Sequence, residues 1–323
     1  MKWNEVAMRN EHKVAVLMGG FSSERDISLK SGQAIWKALQ RKNINAVLFD
    51  PKFRPLTQLI DEKITRVFVA LHGTFGEDGH VQGILEYLRI PFTGSGLAAS
   101  ALAMDKIQAK RIFKSVGLTT PGFLSLKGNE RIDLNRIMDI FPAILKPNFE
   151  GSSLGIEKVE KPEDLEQARK KVVEFGERML LEKFISGREF TCAVLQLGPS
   201  ESPVPLPIVE VIAPDGNYNF HNKYEGDKTK YICPPKLPLD VIRSIEESSV
   251  KAFKTLGCRH WARVDFIWDE NGEPEILELN TVPGMTEKSL VPMAASKNGL
   301  TFDDLVLKIL QNASLETRLN NAY

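Results

Sequence analysis

Two carboxylates and an amide could face each other across a predicted β-hairpin. Two strands joined by a two-residue type I′ turn at 271–272, an Asn-Gly pair, would place Asp265 opposite Glu278 and Arg263 opposite Asn280. Directly opposed side chains lie about 5 Å apart, where two like charges destabilise a sheet. A divalent cation between them would remove that repulsion, and their oxygen donors suit a hard ion, magnesium first.

The same hairpin also has an interpretation without a metal. Val264, Phe266, Leu277 and Leu279 would share the opposite, apolar face, so the acids could simply occupy a solvated face. A register slip of one residue would move the polar set to the other face, and a slip of two would keep it together with different partners. The rest of the chain must decide between these interpretations.

Composition indicates an ordinary folded protein with small-molecule partners. The 323 residues carry 42 basic and 42 acidic side chains and are 42% hydrophobic, which fits two or three domains. Balanced charge without a long basic run argues against nucleic acid as a partner. No stretch reaches the roughly 20 apolar residues of a membrane span, and the N-terminal residues lack the apolar core of a signal peptide.

The cysteines favour a reducing compartment. Cys192, Cys233 and Cys258 are odd in number and far apart, without the spacing of a zinc site. We therefore expect a cytoplasmic protein with no membrane partner.

The first hundred residues read as a doubly wound α/β domain. A short apolar strand leads through a Gly-Gly turn into a helix over 23–41, where Ser23 and Asp26 have capping-box spacing. Residues 67–71 are a continuous apolar run, typical of a parallel strand buried on both faces, and 81–88 read as the next helix. Ligands of such sheets bind beyond the carboxyl ends of the strands.

Two α+β units follow. The third unit, from residue 189 onward, holds the hairpin and a helix at 239–256, and its polar, Gly- and Pro-punctuated segment 213–235 is long enough to be a functional lid. The predicted elements of the second unit are helices at 106–116 and 162–175 and strands at 142–146, 155–159 and 179–184.

A Gly/Ser loop follows Lys146 at the end of a predicted strand. Backbone amides of such loops can bind anions, and the lysine adds a point charge. The spacing is not that of a P-loop and no helix follows, so the loop at 147–155 would cover a nucleotide as a flap. A plain hairpin turn is the alternative.

Other single residues have a plain and a functional interpretation. His72 precedes a glycine-rich loop and could be a hydrogen-bonded structural residue or face a substrate. Glu24 could merely complement a helix dipole, and Lys106 could be a surface lysine. The loop at 280–286 could offer backbone amides to an oxyanion beside Arg263. Together these features describe phosphoryl transfer to a carboxylate.

Short motifs along the chain closely resemble those of the D-alanine:D-alanine ligases. The match runs from Lys13 to about residue 312, in the order and at the spacing of that family. The motifs are Gly19-Gly20 with Ser23-Glu24-Arg25 and Ser28, His72-Gly73 with Gly76-Glu77-Asp78-Gly79, residues 92–96, Met104-Asp105-Lys106, Glu150-Gly151-Ser152-Ser153, Arg263-Val264-Asp265, Glu278-Leu279-Asn280-Thr281 with Pro283-Gly284-Met285-Thr286, and Ser289-Leu290-Val291-Pro292.

The resemblance implies an ATP-grasp fold of mixed α/β and α+β structure in three domains. Residues 1–102 would form an N-terminal substrate-binding domain around the doubly wound parallel sheet. Residues 103–188 would form a small central domain and 189–323 a C-terminal domain, which together clamp the nucleotide. The resemblance also implies ATP, two magnesium ions that manganese could replace, and a homodimer.

Several site residues are assigned by the same resemblance. Asp265, Glu278 and Asn280 would bind magnesium, while Arg263 and the Gly284 amide would stabilise an oxyanion. The residues that would hold ATP are Lys106, Lys146, Glu182, Lys183, Ile185, Glu189 and Lys223.

The substrate residues follow in the same way. Glu24 would bind the ammonium of a first D-alanine with His72 nearby, and Ser289 with Leu290 would anchor the second. The hydrogen-bonded network that closes the lid would comprise Ser152, Tyr224 and Glu24.

The implied activity is ATP-dependent synthesis of D-alanyl-D-alanine for peptidoglycan through a D-alanyl phosphate. A ligase that makes D-alanyl-D-lactate or D-alanyl-D-serine is one alternative. Tyr224 argues against synthesis of D-alanyl-D-lactate, because ester-forming relatives carry phenylalanine at this position. An ATP-grasp ligase of unrelated substrates is a second, against which Ser289, Leu290 and Glu24 argue. A nucleotide-binding regulator without catalysis is a third, and the intact metal and oxyanion residues argue against it.

Overall fold

The structure is a computed structural model of the 323-residue chain. It describes residues 13–128, 130, 137–198, 200–214 and 228–317. Three β-sheets, each covered by helices, organise this described part into an N-terminal, a central and a C-terminal unit. Within it, no helix combines the length and apolarity that crossing a bilayer requires.

The N-terminal unit comprises β1 (Val14–Leu17), α1 (Arg25–Arg41), β2 (Ala46–Phe49), α2 (Gln58–Asp61), β3 (Arg66–Val69), α3 (His80–Tyr87) and α4 (Leu97–Met104). Its strands form a parallel sheet with the order β2-β1-β3. Every residue of β1 and β3 is buried, as expected for apolar strands covered on both faces.

The start of α1 differs from its prediction. The helix begins at Arg25, and no side chain caps it by a hydrogen bond, so the predicted capping box of Ser23 and Asp26 is wrong. The Ser23 hydroxyl donates instead to Oε2 of Glu150, 3.0 Å away in the central unit. The residues before α1 are therefore engaged with another unit.

The central unit comprises α5 (Lys106–Ser115), β4 (Phe123–Lys127), β5 (Ala143–Pro147), β6 (Glu157–Val159), α6 (Leu165–Val172) and β7 (Arg178–Lys183), with short 3₁₀ turns before and after α6. Its strands form an antiparallel sheet with the order β4-β7-β5-β6. The apolar face of this sheet buries Leu145, Val159 and Leu181 against α6.

The C-terminal unit comprises β8 (Arg188–Leu195), β9 (Val204–Pro205), β10 (Val209–Ile212), β11 (Lys230–Ile232), α7 (Leu239–Thr255), β12 (Trp261–Trp268), β13 (Glu275–Asn280), α8 (Leu290–Lys297) and α9 (Phe302–Gln311). Its strands form a second antiparallel sheet in the order β11-β10-β8-β12-β13, with β9 paired to β8. The apolar residues of this sheet pack against α5 and α7.

The β12–β13 hairpin has the predicted register at its polar end. Asp265 pairs with Glu278, and Arg263 pairs with Asn280, so this prediction is confirmed. The predicted two-residue turn is wrong, because the connection spans 269–274. A β-bulge next to Asp265 compensates for the longer turn.

The bulge also changes which side chains share the apolar face of the hairpin. Phe266 pairs with Ile276, which is fully buried, whereas Leu277 is half-buried and lines a cleft. The prediction that Leu277 lies on the buried face is therefore wrong, because the extra residue of the bulge reverses its orientation.

The C-terminal helices return to the N-terminal unit. Arg41 at the end of α1 makes two hydrogen bonds, of 2.7 and 2.6 Å, to the Asp303 carboxylate of α9. Beyond α9, Ser314 pairs with Phe92, and Arg66 of β3 donates to the Ala313 carbonyl oxygen at 2.8 Å. The end of the described chain thus completes the core of the N-terminal unit.

Two predictions about chain organisation stay predictions. The boundary expected at residues 102 and 103 falls within α4, and Asp105 separates α4 from α5. The predicted lid at 213–235 lies largely outside the described residues, but β11 falls within it and pairs with β10. That part of the segment is a strand rather than an irregular loop.

Candidate active site

A cleft of about 570 Å³ opens between the sheets of the central and C-terminal units. Side chains from β5 and β7 on one side and from β12 and β13 on the other contribute to it. Ten residues predicted to bind ATP, magnesium or substrate line this cleft: Lys106, Lys146, Glu182, Lys183, Ile185, Glu189, Arg263, Asp265, Glu278 and Leu290.

Asp265 and Glu278 stand side by side at the polar end of the hairpin. Asp265 accepts two hydrogen bonds of 2.7 Å from the Arg263 guanidinium and a third, of 3.1 Å, from the Asn280 amide. Oε2 of Glu278 lies 3.6 Å from Nζ of Lys106. The planar guanidinium fixes the orientation of the Asp265 carboxylate.

These donors fit a hard divalent cation. The Asp265 and Glu278 side chains are 16% and 24% exposed, so both reach the cleft while remaining partly desolvated. The Asn280 amide nitrogen donates to Asp265, which leaves its oxygen as a candidate ligand. Among the described residues, no group of three or more His, Cys, Asp or Glu side chains could hold a metal ion. The candidate ligands here are two carboxylates and one amide oxygen. Such oxygen ligands suit Mg²⁺ better than Zn²⁺.

A buried cluster of two lysines and one carboxylate forms part of the cleft wall. Nζ of Lys110 lies 2.6 Å from Oε2 of Glu182, and Nζ of Lys146 lies 2.5 Å from Oε1. Burial favours the neutral form of Lys110 and lowers its pKa to about 8. Burial would also lower the pKa of Lys146, but Glu182 and Glu278 outweigh it and raise that pKa.

The same cluster leaves excess positive charge beside the cleft. Burial alone would raise the pKa of Glu182, yet Lys110 and Lys146 together lower it, so Glu182 is ionised at neutral pH. One carboxylate then faces two ammonium groups. Such a site favours a polyanionic ligand such as a nucleoside triphosphate.

Lys106 is a buried residue rather than a surface lysine. It opens α5 and donates to the Glu150 carbonyl oxygen at 2.6 Å, which ties it to the Gly/Ser loop. Ser152 and Ser153 in that loop have φ values of +52° and +60°, a conformation that L-residues adopt only under constraint. The loop between β5 and β6 is therefore held in a specific shape beside the cleft.

Glu24 is a buried acid at the junction of the N-terminal and central units. Oε1 accepts a hydrogen bond from the Ser152 hydroxyl, while the buried Oε2 has no hydrogen-bond partner among the described residues. Burial raises the pKa of Glu24, and Ser152 and Lys106 partly oppose that effect. A buried carboxylate with one open oxygen suits a cationic ligand. Interaction with the helix dipole alone does not explain why Glu24 is buried and hydrogen-bonded to Ser152 in another unit.

His72 joins the N-terminal unit to the loop after β13. Its Nδ1 lies 2.9 Å from the Val282 carbonyl oxygen, and its Nε2 lies 3.1 Å from the Ser31 hydroxyl oxygen. Burial lowers the pKa of His72 to about 4, so the ring is neutral at pH 7. Ser31 also accepts a hydrogen bond from the Met285 amide at 3.1 Å. His72 and Ser31 thereby position the 282–285 loop.

Ser289 and Gly284 are adjacent in the same loop region. A β-carbon added to Gly284 would lie 3.5 Å from the Ser289 hydroxyl oxygen. That hydroxyl accepts from the Thr286 amide at 3.0 Å. Leu290 begins α8 and lines the cleft. This loop therefore holds Ser289 beside Gly284 and reaches the cleft through Leu290.

Two predicted site residues, Lys223 and Tyr224, lie outside the described chain. The sequence analysis did not assign a role to four further residues that the structure places near the site: Lys110, Ser31, Glu77 and Glu150. Ser31 and Lys110 sit on amphipathic helices, where only contacts between distant segments reveal their role, whereas Glu77 and Glu150 already stood within recognised motifs.

The architecture of the three units defines the class of protein. Two α+β units that enclose a nucleotide-sized, lysine-lined cleft between their sheets, together with a parallel α/β unit, form the ATP-grasp arrangement.

Comparison with known proteins identifies the family within that class. Residues 112–311 match the family model described as "D-ala D-ala ligase C-terminus", and residues 52–95 match "D-ala D-ala ligase N-terminus". The chain belongs to the D-alanine–D-alanine ligase family.

Individual relatives agree with this placement over nearly the whole chain. It is 48% identical to a D-alanine–D-alanine ligase of Bordetella avium, over 95% of this chain and 96% of the relative. It is 46% identical to a D-alanine–D-alanine ligase of Nitrosomonas europaea, over 94% of this chain and 97% of the relative. The solved structure of the Bacillus anthracis D-alanine–D-alanine ligase complexed with ATP is similar, with a TM-score of 0.80, 30% identity and coverage of 94% of this chain and 97% of that one.

Proposed function

We propose that this protein is an ATP-dependent ligase that joins two D-alanine molecules into D-alanyl-D-alanine, releasing ADP and phosphate, for peptidoglycan precursor synthesis. The observation that carries the proposal is the hydrogen bond from Ser152 to Glu24. It joins a buried acid suited to an amino acid's ammonium to the Gly/Ser loop beside the nucleotide-sized cleft.

The first step activates a carboxylate. A carboxylate oxygen of the first D-alanine attacks the γ-phosphorus of ATP, giving D-alanyl phosphate and ADP. Phosphoryl transfer depends mainly on positioning and charge neutralisation. Lys106 and Lys146 offset the phosphate charge, and Glu24 holds the ammonium so that the carboxylate extends towards the cleft.

The second step forms the amide bond. The deprotonated amine of the second D-alanine attacks the acyl carbon, the resulting oxyanion is stabilised by Arg263 and the Gly284 amide, and phosphate leaves. Ser289 and Leu290 anchor the second substrate. The Arg263 guanidinium, oriented by its two hydrogen bonds to Asp265, supports this role.

Asp265, Glu278 and Asn280 are the residues that would hold magnesium or manganese. The ions would neutralise phosphate charge and orient its oxygens. The remaining proposed ATP contacts, Glu182, Lys183, Ile185 and Glu189, line the same cleft and support a nucleotide that lies along β7 and the start of β8. Lys223 and Tyr224 keep their proposed roles at the transferring phosphate and in the lid.

Cellular location and assembly are also proposals. Three unpaired thiols, of which Cys192 and Cys258 are buried, support a reducing cytoplasm. A homodimer is expected from family resemblance, and light scattering during gel filtration would test it.

The activity is tested by product analysis. The protein is incubated with ATP, magnesium and either D-alanine, L-alanine, or D-alanine plus D-lactate, and the products are identified by mass. We expect the dipeptide in both incubations that contain D-alanine, no dipeptide from L-alanine, and no ester. An ester product would favour D-alanyl-D-lactate synthesis. Phosphate release without formation of a dipeptide or an ester would exclude a ligase.

A further inference from the structure

Ser31 is a fully buried serine of α1 whose hydroxyl the proposed mechanism does not use. Its Oγ lies 3.1 Å from Nε2 of His72 and accepts a hydrogen bond of 3.1 Å from the Met285 amide. The other ring nitrogen of His72, Nδ1, lies 2.9 Å from the Val282 carbonyl oxygen. Both side chains belong to the N-terminal unit, whereas the 282–285 loop follows β13 of the C-terminal unit. Two side chains of one unit therefore hold both ends of a loop of another.

The donors and acceptors in this group fix the direction of each hydrogen bond. The Val282 carbonyl oxygen can only accept, so Nδ1 of His72 carries a proton, and the Met285 amide can only donate, so the Ser31 oxygen accepts. The Ser31 hydroxyl proton is then donated to Nε2, which must be unprotonated. A charged ring would leave that buried hydroxyl proton without an acceptor among the described residues.

The hydrogen bonds therefore run in one chain, from the Met285 amide through Ser31 and His72 to the Val282 carbonyl oxygen. Each member is buried, so no bond of the chain is exchanged freely for one to water. Removing one member should loosen the 282–285 loop at both of its ends.

The loop held in this way carries the Gly284 amide, the proposed oxyanion donor. Residues 281–283 and 285 are buried, and Gly284 between them is partly exposed. Within the part of the chain that the structure describes, the Gly284 amide donates no hydrogen bond, so it is available to a ligand. Because this loop lies outside any helix or strand, the direction of the amide depends on how its neighbours are anchored.

We propose that Ser31 is a positioning residue for amide-bond formation, which aims the Gly284 amide at the oxyanion through its hydrogen bonds to His72 and Met285. This inference rests on the proposed function, since that oxyanion forms when the second D-alanine attacks the acyl carbon. Oxyanion stabilisation depends on donors that are oriented before the charge develops. Phosphoryl transfer in the first step does not use this amide, so loss of the Ser31 hydroxyl should slow the second step alone.

The test compares two serine-to-alanine variants. Ser31→Ala removes the hydroxyl, so the Met285 amide and Nε2 of His72 lose the partner they share. The matched control is Ser249→Ala, because Ser249 is equally buried but donates at 2.7 Å to the Ile245 carbonyl oxygen of its own helix, α7. Both variants lose one buried hydroxyl, and only the first breaks the chain that reaches the 282–285 loop.

Single-turnover rapid-quench experiments separate the two steps. Excess enzyme is mixed with ATP, magnesium and saturating D-alanine, and ADP reports the first step while dipeptide reports the second. For Ser31→Ala we expect ADP formation at the wild-type rate and dipeptide formation slower by about tenfold to a hundredfold, the scale of leaving one buried donor unsatisfied. Ser249→Ala should change neither rate. Equal slowing of both steps by Ser31→Ala, or unchanged dipeptide formation, would overturn the proposal.

Nitrogen NMR of the His72 ring gives a readout that needs neither turnover nor the Ser31 variant. In the wild-type protein at pH 7 the ring should have a protonated Nδ1 and an unprotonated Nε2, with its signals identified by their loss in His72→Gln. A ring protonated at Nε2 would overturn the proposal. Wild-type protein with the expected ring but no dipeptide product would instead refute the proposed function.

Discussion

The Ser152 hydroxyl donates a hydrogen bond to Oε1 of Glu24 across 128 residues of sequence. Ser152 holds an unfavourable backbone conformation to make this contact, with φ at +52°. The Gly/Ser loop beside the cleft and the carboxylate proposed to bind D-alanine are thereby coupled. Displacing either one should affect substrate binding more than folding.

Gly151→Ala tests that coupling. A β-carbon at this position would lie 2.6 Å from Oε2 of Glu24, so the carboxylate must move. We expect KM for D-alanine to rise about tenfold to a hundredfold, the scale of one hydrogen bond to a charged group. The control is Gly128→Ala, where an added β-carbon meets nothing within 4 Å. Equal KM values for the two variants would contradict the account.

Glu278→Gln tests the metal assignment. The amide keeps the shape of Glu278 but removes a charge that would offset magnesium, so turnover should fall on the order of a hundredfold or more while the melting temperature changes little. Glu275→Gln, on the same strand, is the matched control and should retain activity. Near-normal phosphate release by the Glu278 variant at limiting magnesium would show that Glu278 does not bind the ion.

Arg263→Lys tests the oxyanion role. An ammonium cannot reproduce the planar pair of hydrogen bonds that Arg263 makes to Asp265. We expect kcat to fall by about 10² to 10³, the usual scale for losing one oxyanion donor. Arg188→Lys is the control, because Arg188 makes the same paired contact to Glu210 and neither of these two residues lines the cleft. If only KM for ATP rose, Arg263 would be a nucleotide contact.

His72 should make stability depend on acidic pH. Unfolding returns its pKa from about 4 to 6.5, so between these values the unfolded chain binds a proton that the folded protein does not. Its contribution to stability is present above pH 6.5 and is lost as pH falls towards 4.

His72→Gln isolates this effect in denaturant titrations from pH 7 to pH 4.5. The slope of unfolding free energy against pH should decrease by up to about 1.4 kcal/mol per pH unit, the value for one proton. His80→Gln, at an exposed histidine, is the control. An unchanged slope for His72→Gln would mean that folding does not lower the pKa of His72.

Local pattern was enough to predict the elements nearest the chemistry. The continuous apolar run around β3 predicted a strand buried on both faces, and the position of the Asn-Gly pair at 271–272 predicted which residues of β12 and β13 pair at the polar end. Both signals are short-range, because the first reflects the side-chain direction that a strand imposes and the second reflects the turn preference of two adjacent residues.

What depends on contacts between distant segments could not be predicted in the same way. The bulge beside Asp265 exists because a longer turn must still bring Asp265 opposite Glu278, and neither feature has a local signal. Ser31 reads as an ordinary small residue of a helix, yet it links His72 to Met285 across the fold. Ser23 has the spacing of a helix cap but bonds to Glu150, since tertiary contacts override local preference.

If ATP activates the carboxylate of D-alanine by phosphorylation, an oxygen atom of that carboxylate must end in the released phosphate. D-Alanine labelled with ¹⁸O in its carboxylate is incubated with ATP, magnesium and the protein, and the released phosphate is analysed by mass. The attacking carboxylate oxygen leaves with the phosphate. One phosphate that carries a single ¹⁸O atom should therefore be released for each dipeptide formed. Dipeptide formation with unlabelled phosphate would contradict the account.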